Sequence, residues 1–268
     1  MIYDQHCHSM FSKDSEEFLT NYFKICNEYH IKYLVTTEHI EFNSVCDNTD
    51  WTVDYDQLKK ELETNHKIFP NVIPLLGIEI GYRKEYINNM LEVINSQKFD
   101  VVNMSIHDNG IYDYYMKEPF KQIGIDKMLN IYFDNILDGL SNFNNFDVLS
   151  HFDYGFKTAK LIDNSLSINK YETKVREIFK KVISLNKALE INIKVQSTIN
   201  DLKHLKTILK WYVEEGGKKL TLSSDAHTKE AYKKYFEVQN QYVEIIKEFG
   251  FKYLCYFIER KELHYDII

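Results

Sequence analysis

Proline and glycine are scarce, 3 and 9 in 268 residues, and no stretch is rich enough in them to make a flexible linker between domains. The chain is therefore expected to fold as a single domain over residues 1–268. The four cysteines, Cys7, Cys26, Cys46 and Cys255, stand apart with no CxxC pair. They are expected to be reduced thiols of a cytoplasmic protein rather than a disulfide framework. A cationic surplus is also missing: 33 Lys and Arg against 40 Asp and Glu leave a net charge of −7 and a pI near 5.8. That balance argues against long nucleic acid as a partner, which needs cations on its phosphates. No apolar run approaches the ~18 residues that span a bilayer. The opening MIYDQHCHS has neither the basic start nor the apolar stretch of a signal peptide. Neither a GxSxG, a Walker loop nor a CxxxxxR loop is present, which removes the common nucleophilic and nucleotide-binding motifs.

What the chain does have is 44% hydrophobic residues, including 20 Tyr and 17 Phe, enough to bury a full core without disulfides. Short β-rich runs alternate with longer amphipathic stretches. The runs are residues 2–6, 33–37, 72–80, 101–106, 147–150, 188–193 and 220–223. Helical spacing of apolar residues marks 16–29, 55–68, 122–140, 171–185 and 202–215 between them. A strand–helix unit repeated seven times predicts an α/β fold with a closed or nearly closed parallel barrel. The last run, 253–258, followed by 265–268, is expected to pair at an edge.

Metal-binding residue types gather where those strands end. His6, His8 and then Asp14 follow the first; Glu38 and His39 end the second; Glu79 lies on the third; His107, His151 and the pair Asp225 and His227 follow later strands. Six of the ten histidines occupy such ends, and the C-terminal ends of strands are where α/β barrels assemble their active sites. Imidazole and carboxylate donors together suit zinc, iron or manganese. In an extended chain His6 and His8 project to one face and Cys7 to the other, so Cys7 is read as a packing residue. His30, His66, His204 and His264 lie in helical or terminal segments and are expected at the surface.

Taken in order, HCHS, TEH, GIE, SIH, SHFD and SDAH resemble the motifs of the polymerase and histidinol phosphatase (PHP) family of metal-dependent phosphoesterases. The stretches GIEIGY and SIHDNGIYDYY look most like its monofunctional histidinol-phosphatase branch. The resemblance implies a distorted seven-stranded (β/α)7 TIM-like barrel holding three metal ions, divalent or of mixed valence: zinc, iron or manganese. Carried over residue by residue, it implies one ion on His6, His8, Glu79 and Asp225. A second would sit on Asp14, His39 and His227, and a third on Glu79, His107 and His151. Other family members have histidine where Asp14 stands, a departure that bears on metal preference. Glu38 would orient His39.

Phosphate suits such a site electrostatically. Three dications against three carboxylates and a bridging hydroxide leave a charge of about +2, which a phosphate monoester would neutralise. The expected reaction is hydrolysis of a phosphomonoester, L-histidinol phosphate foremost, the bridging hydroxide attacking phosphorus in line with the leaving alkoxide. Glu38 and Asp153 are the candidate proton donors. The branch commonly has arginines near the phosphate; here Lys157, Lys160 and Lys194 occupy those regions, with Arg83 a further candidate. Asp113, Tyr114 and Tyr115 are candidates for the imidazole and ammonium of histidinol. The expected partner is a small phosphorylated substrate, with neither long nucleic acid nor membrane. Another small phosphate or a nucleotide is the alternative substrate, and a non-catalytic metal-binding module the third reading.

Overall fold

The computed structural model describes residues 3–267. In chain order its elements are α1 (Leu19–Glu28), β1 (Tyr33–Ile40), α2 (Tyr55–Ile68), β2 (Ile73–Gly81), α3 (Ile87–Ser96), β3 (Val101–Ser105), α4 (Lys117–Ile123), α5 (Ile125–Asn142) and β4 (Val148–Leu149). They continue with α6 (Tyr154–Lys160), α7 (Glu172–Ser184), β5 (Ala188–Asn192), α8 (Ile193–Ile199), α9 (Leu202–Glu214), β6 (Leu220–Ser223), α10 (Lys229–Glu248), β7 (Tyr253–Ile258) and β8 (Lys261–Asp266). Strands β1 to β6 form one parallel sheet in sequence order, curled into a half-barrel. Their residues are buried on both faces almost throughout, as strands flanked by crossover helices must be. The register sets His39 opposite Glu79, and Glu79 opposite Asn103.

Helix starts follow local capping chemistry. The side chains of Asp54, Asn192 and Thr228 accept from the backbone N–H of Gln57, Val195 and Ala231, opening α2, α8 and α10. Asn192 ends β5 and caps α8 at once, so Lys194 lies in the first turn of a helix that strand periodicity did not reveal. No helix among the described residues is long and apolar enough to cross a membrane.

The structure corrects the strand count. Of the first β-rich run, Ile2 lies outside the described residues, and Tyr3 to His6 form no strand. Instead Cys7 makes a single parallel bridge to Ala226. The chain still lies between β1 and the end of β6: Thr37 N–H donates to Cys7 C=O (2.9 Å), His8 N–H to Ala226 C=O (2.8 Å) and Asp225 N–H to His6 C=O (2.8 Å). Side chains take the remaining ladder positions. Thr37 Oγ1 accepts from Cys7 N–H, and Asn103 Nδ2 donates to Gln5 C=O. A regular strand is lost because its backbone groups are satisfied by these side chains.

The last two strands form a separate antiparallel hairpin. Its Cys255 and Phe257 pack on Val35, Leu75, Val101, Val148 and Ala188, at or near the N-terminal ends of β1 to β5. The hairpin thus covers the floor of the barrel, opposite the strand ends that carry the polar cluster. Gln5 ties it on, accepting from Phe257 N–H and donating to Phe257 C=O at 2.7 and 2.8 Å.

Candidate metal centre

The nine residues singled out for metal chemistry converge on Glu79 of β2, and six of them line a cavity of about 400 Å³. Its carboxylate lies 2.9, 3.2 and 3.1 Å from His6 Nε2, His8 Nε2 and His39 Nδ1 through Oε2. Through Oε1 it lies 3.4 and 2.8 Å from His107 Nε2 and His151 Nε2, and Ser105 Oγ donates to it. Asp225 Oδ1 stands 3.6 Å from His8 Nε2 and 3.4 Å from His227 Nδ1. Asp14 Oδ2 is 3.0 Å from His227 Nε2 and 3.5 Å from His39 Nε2. His39 therefore faces two ways, Nδ1 toward Glu79 and Nε2 toward Asp14.

Whether these side chains suit cations can be judged from their unmet polar atoms. His6 Nε2, His8 Nε2, His39 Nδ1 and Glu79 Oε2 are buried without a well-formed hydrogen bond, a state that costs about 1–3 kcal/mol each unless something coordinates them. Four overlapping triads, among them His6–His8–Glu79 and His39–Glu79–His107, place one donor atom each within 4.8 Å of one another. Burial opposes ionisation of Glu79, yet His6, His39 and His107 around it hold its carboxyl well below the usual range. Burial, with His39 and His227 alongside, drives the His8 imidazole well below its ordinary value, leaving it neutral with a lone pair to offer. The donor set fits divalent cations.

The far nitrogens of the imidazoles are fixed from behind, as metal-bound histidines commonly are. His6 Nδ1 donates to Glu190 Oε1 (2.7 Å), and His107 Nδ1 to Glu41 Oε1 (2.6 Å). His8 Nδ1 lies 3.1 Å from Ser12 Oγ. Sequence reasoning missed Glu41 and Glu190. Glu41 carried a signal, being two residues beyond His39 and hence on the same face of an extended chain. Glu190 stood out only as a carboxylate inside the apolar strand ALEIN.

Residues 4–194 match the PHP domain, most of the chain. The chain belongs to the PHP domain family. A probable histidinol-phosphatase of Clostridium acetobutylicum is 29% identical over 231 residues, covering 86% of this chain and 88% of that protein. A histidinol-phosphatase of Lactococcus lactis is 26% identical, covering 84% and 83%. The fold is shared with the crystal structure of the L. lactis histidinol phosphate phosphatase complexed with zinc, L-histidinol and phosphate, at a TM-score of 0.78 and 24% identity over 97% and 98% of the two chains. It is also shared with a putative histidinol phosphatase of Listeria monocytogenes, at a TM-score of 0.68, 15% identity and coverage of 85% and 96%. Asp225 and His227 lie beyond the matched PHP range, yet they close the same cluster.

In this PHP domain two of the expected cations, Lys157 and Lys194, line the same cavity. Lys157, on α6 and only 5% exposed, holds its ammonium 3.8 Å from the ring centre of Tyr154. Burial pushes that ammonium down to about 8. Lys194 reaches Asp225 Oδ1 at 3.2 Å and His227 Nδ1 at 3.1 Å. Asp113 and the exposed Tyr115 line the same cavity.

Several expected residues sit elsewhere. Lys160 turns away to Leu166 C=O (2.8 Å) and Asp201 (3.5 Å). Arg83 is buried in an ion pair with Asp108 Oδ1 (2.8 Å). There it braces a cavity-lining carboxylate and passes so close to Gly110, at φ +85°, that a Cβ would lie 2.4 Å from its guanidinium. Tyr114 is buried against Tyr132. Glu38 accepts from Ser9 N–H, Ser9 Oγ and Ser12 Oγ. It steadies His39 only through the backbone, since Ser12 Oγ accepts from His39 N–H. Asp153 accepts from Gln196 Nε2 (2.7 Å) and His204 Nε2 (2.8 Å), behind the cavity wall. Neither Glu38 nor Asp153 lines the cavity, and both carboxylates are taken up by other partners. His204 is itself buried, stacked on Phe156, because α9 turns it inward to Asp153. His30 and His264 are exposed and His66 is half-buried.

Proposed function

We propose that this PHP domain is a histidinol-phosphatase, hydrolysing L-histidinol phosphate to L-histidinol and phosphate at a centre of three divalent cations, zinc, iron or manganese. The observation that carries the reading is one cavity lined by Asp14, His39, His107, His151, Asp225 and His227 together with Lys157 and Lys194, backed by the unmatched donors of His6, His8 and Glu79. The histidinol-phosphatases of C. acetobutylicum and L. lactis among its relatives, and the zinc, L-histidinol and phosphate in the L. lactis structure, support it. His6, His8, Glu79 and Asp225 would hold one ion, Asp14, His39 and His227 a second, and Glu79, His107 and His151 a third. When bound, such cations supply Lewis acidity and lower the pKa of water toward neutrality.

The chain's own residues do the rest. Glu190 and Glu41 keep the Nε2 atoms of His6 and His107 turned inward. Lys157 and Lys194 attract the phosphoryl oxygens as point charges, a role in which lysine neutralises charge without arginine's bidentate fork. Asp113 and Tyr115, at the rim, meet the cationic end of histidinol. The reaction is carried by one domain over residues 1–268, and the four unpaired cysteines suit the reducing cytoplasm.

The test is kcat/KM for L-histidinol phosphate beside a generic aryl phosphate, with manganese supplied. A value above about 10⁴ M⁻¹s⁻¹ and far above that of the generic ester establishes the substrate. Lysines in place of the branch's arginines favour one second reading, hydrolysis of another small phosphate or a nucleotide. Turnover of the generic ester alone would select it. Absence of any turnover from metal-loaded protein would leave a non-catalytic module.

A further inference from the structure

We propose a second metal site on the floor of the barrel, in which Cys255, Glu262 and His264 of the β7–β8 hairpin hold a zinc ion whose fourth position is open to water. The hairpin register pairs Cys255 with His264, and Glu262, two residues before His264, projects from the same face of β8. One donor atom from each of the three lies within 4.8 Å of the others. Glu262 Oε1 is 3.6 Å from Cys255 Sγ and 2.7 Å from His264 Nε2. Zinc bound tetrahedrally by thiolate at about 2.3 Å and carboxylate at about 2.0 Å would set sulfur and oxygen roughly 3.5 Å apart, close to the spacing already present. The oxygen–nitrogen spacing is shorter, as it is around Glu79, where His6 Nε2 and His151 Nε2 approach the carboxylate to 2.9 and 2.8 Å.

The surroundings suit a fixed ion. Cys255 is 2% exposed, anchored among the apolar residues of the barrel floor. The Tyr253 ring stacks on His264 with ring centres 4.1 Å apart and holds the imidazole in place. Lys219 pairs with Oε2 of Glu262, which leaves Oε1 turned to Sγ and Nε2. Thiolate and carboxylate bring −2 against the dication, with Lys219 adding +1, and a thiolate–imidazole–carboxylate set selects zinc over calcium or magnesium. Being at the opposite end of the strands from the Glu79 centre, the site belongs to the face of an α/β barrel that serves stability. The proposal does not depend on the phosphatase reading.

The full-length protein, stripped by chelator and reloaded with cobalt(II), supplies the test. Donors of the Glu79 centre are nitrogen and oxygen, so a thiolate-to-cobalt charge-transfer band in the near ultraviolet reports a cysteine ligand. Cys46 lines the catalytic cavity, which makes Cys46→Ser the control. The band is expected in the wild type and in Cys46→Ser, and lost in Cys255→Ser. It should also be lost or shifted in His264→Gln, a substitution at an exposed position that leaves the fold intact should Cys255→Ser fail to fold. Bound metal should fall by one equivalent in both hairpin variants. A wild type without the band, a band that survives both hairpin variants, or one that vanishes with Cys46→Ser overturns the site. The three side chains are then a hydrogen-bonded network completed by Lys219.

Discussion

Glu41 Oε1 accepts a 2.6 Å hydrogen bond from His107 Nδ1, fixing the tautomer that turns Nε2 toward Glu79. Removing such a carboxylate behind a metal-binding histidine commonly costs 10–100-fold in metal affinity or activity. Glu41→Gln is therefore expected to lower metal affinity, or kcat at limiting metal, by roughly 10–100-fold with the circular dichroism spectrum unchanged. Gly81→Ala should produce the same defect, because a Cβ at that position would lie 1.8 Å from Glu41 Oε2. Full activity and metal content in both variants would remove Glu41 from the centre.

Lys157 sets activity against stability. Its ammonium is pushed down to about 8 by burial, from the ordinary 10.5, so folding favours the neutral form. The unfolded chain binds the extra proton between those two values, hence this group's contribution to stability rises with pH from about 8 to 10.5. Below that window the charged lysine costs the fold on the order of 3 kcal/mol. Lys157→Met should raise the Tm of metal-free protein at pH 7 while lowering kcat/KM for the phosphate ester at least tenfold. In the wild type, the lysine's share of phosphate attraction should fade as pH rises through about 8. A Lys157→Met protein of lower Tm and normal kcat/KM would contradict both halves.

The Asp153 carboxylate holds α8 through Gln196 and α9 through His204, at the head of α6. Helices α6 and α8 carry Lys157 and Lys194. His204→Leu leaves Asp153 short of one partner in a buried site, with an expected loss of about 1–3 kcal/mol. KM for the phosphate ester should rise with it, since both ammonium groups lose their reference positions, while metal content stays constant. Loss of metal instead would mean that the clamp supports the cation centre itself.

Glu259 and Arg260 form the two-residue turn of the β7–β8 hairpin with φ of 53° and 62°, a left-handed conformation that such turns require and that asparagine or glycine adopts most readily. Asp100 compensates, accepting from Glu259 N–H through Oδ1 and from Arg260 N–H through its carbonyl, both at 2.9 Å. Glu259→Asn keeps the backbone bond and relieves the side-chain conflict, for an expected rise in Tm of about 2 °C. A fall in Tm would show that the glutamate side chain contributes more than its backbone conformation costs.

Sequence periodicity located most elements because helices and buried strands carry their signal within a few residues: α2 spans 55–68 as expected, and β6 spans 220–223. It misread the opening run, whose backbone partners are side chains such as Thr37 and Asn103 from far along the chain. It also missed α8, where a single capping asparagine turns the end of β5 into a helix. A strand pattern registers alternation of side chains, not which groups close the ladder.

By itself the sequence determined which chemistry the centre would use: six histidines with Asp14, Glu79 and Asp225, read from local position and residue type. Only the tertiary structure decided what each of these touches. Glu79 became the hub because β1 and β2 pair in the register that sets it opposite His39. Glu41 and Glu190 became supports because curling of the sheet brings them behind His107 and His6. Asp153 was withdrawn from the cavity by a histidine 51 residues away. A buried polar group must find its partner among whatever the packing brings near, and that choice belongs to strand order and register rather than to neighbours in the chain.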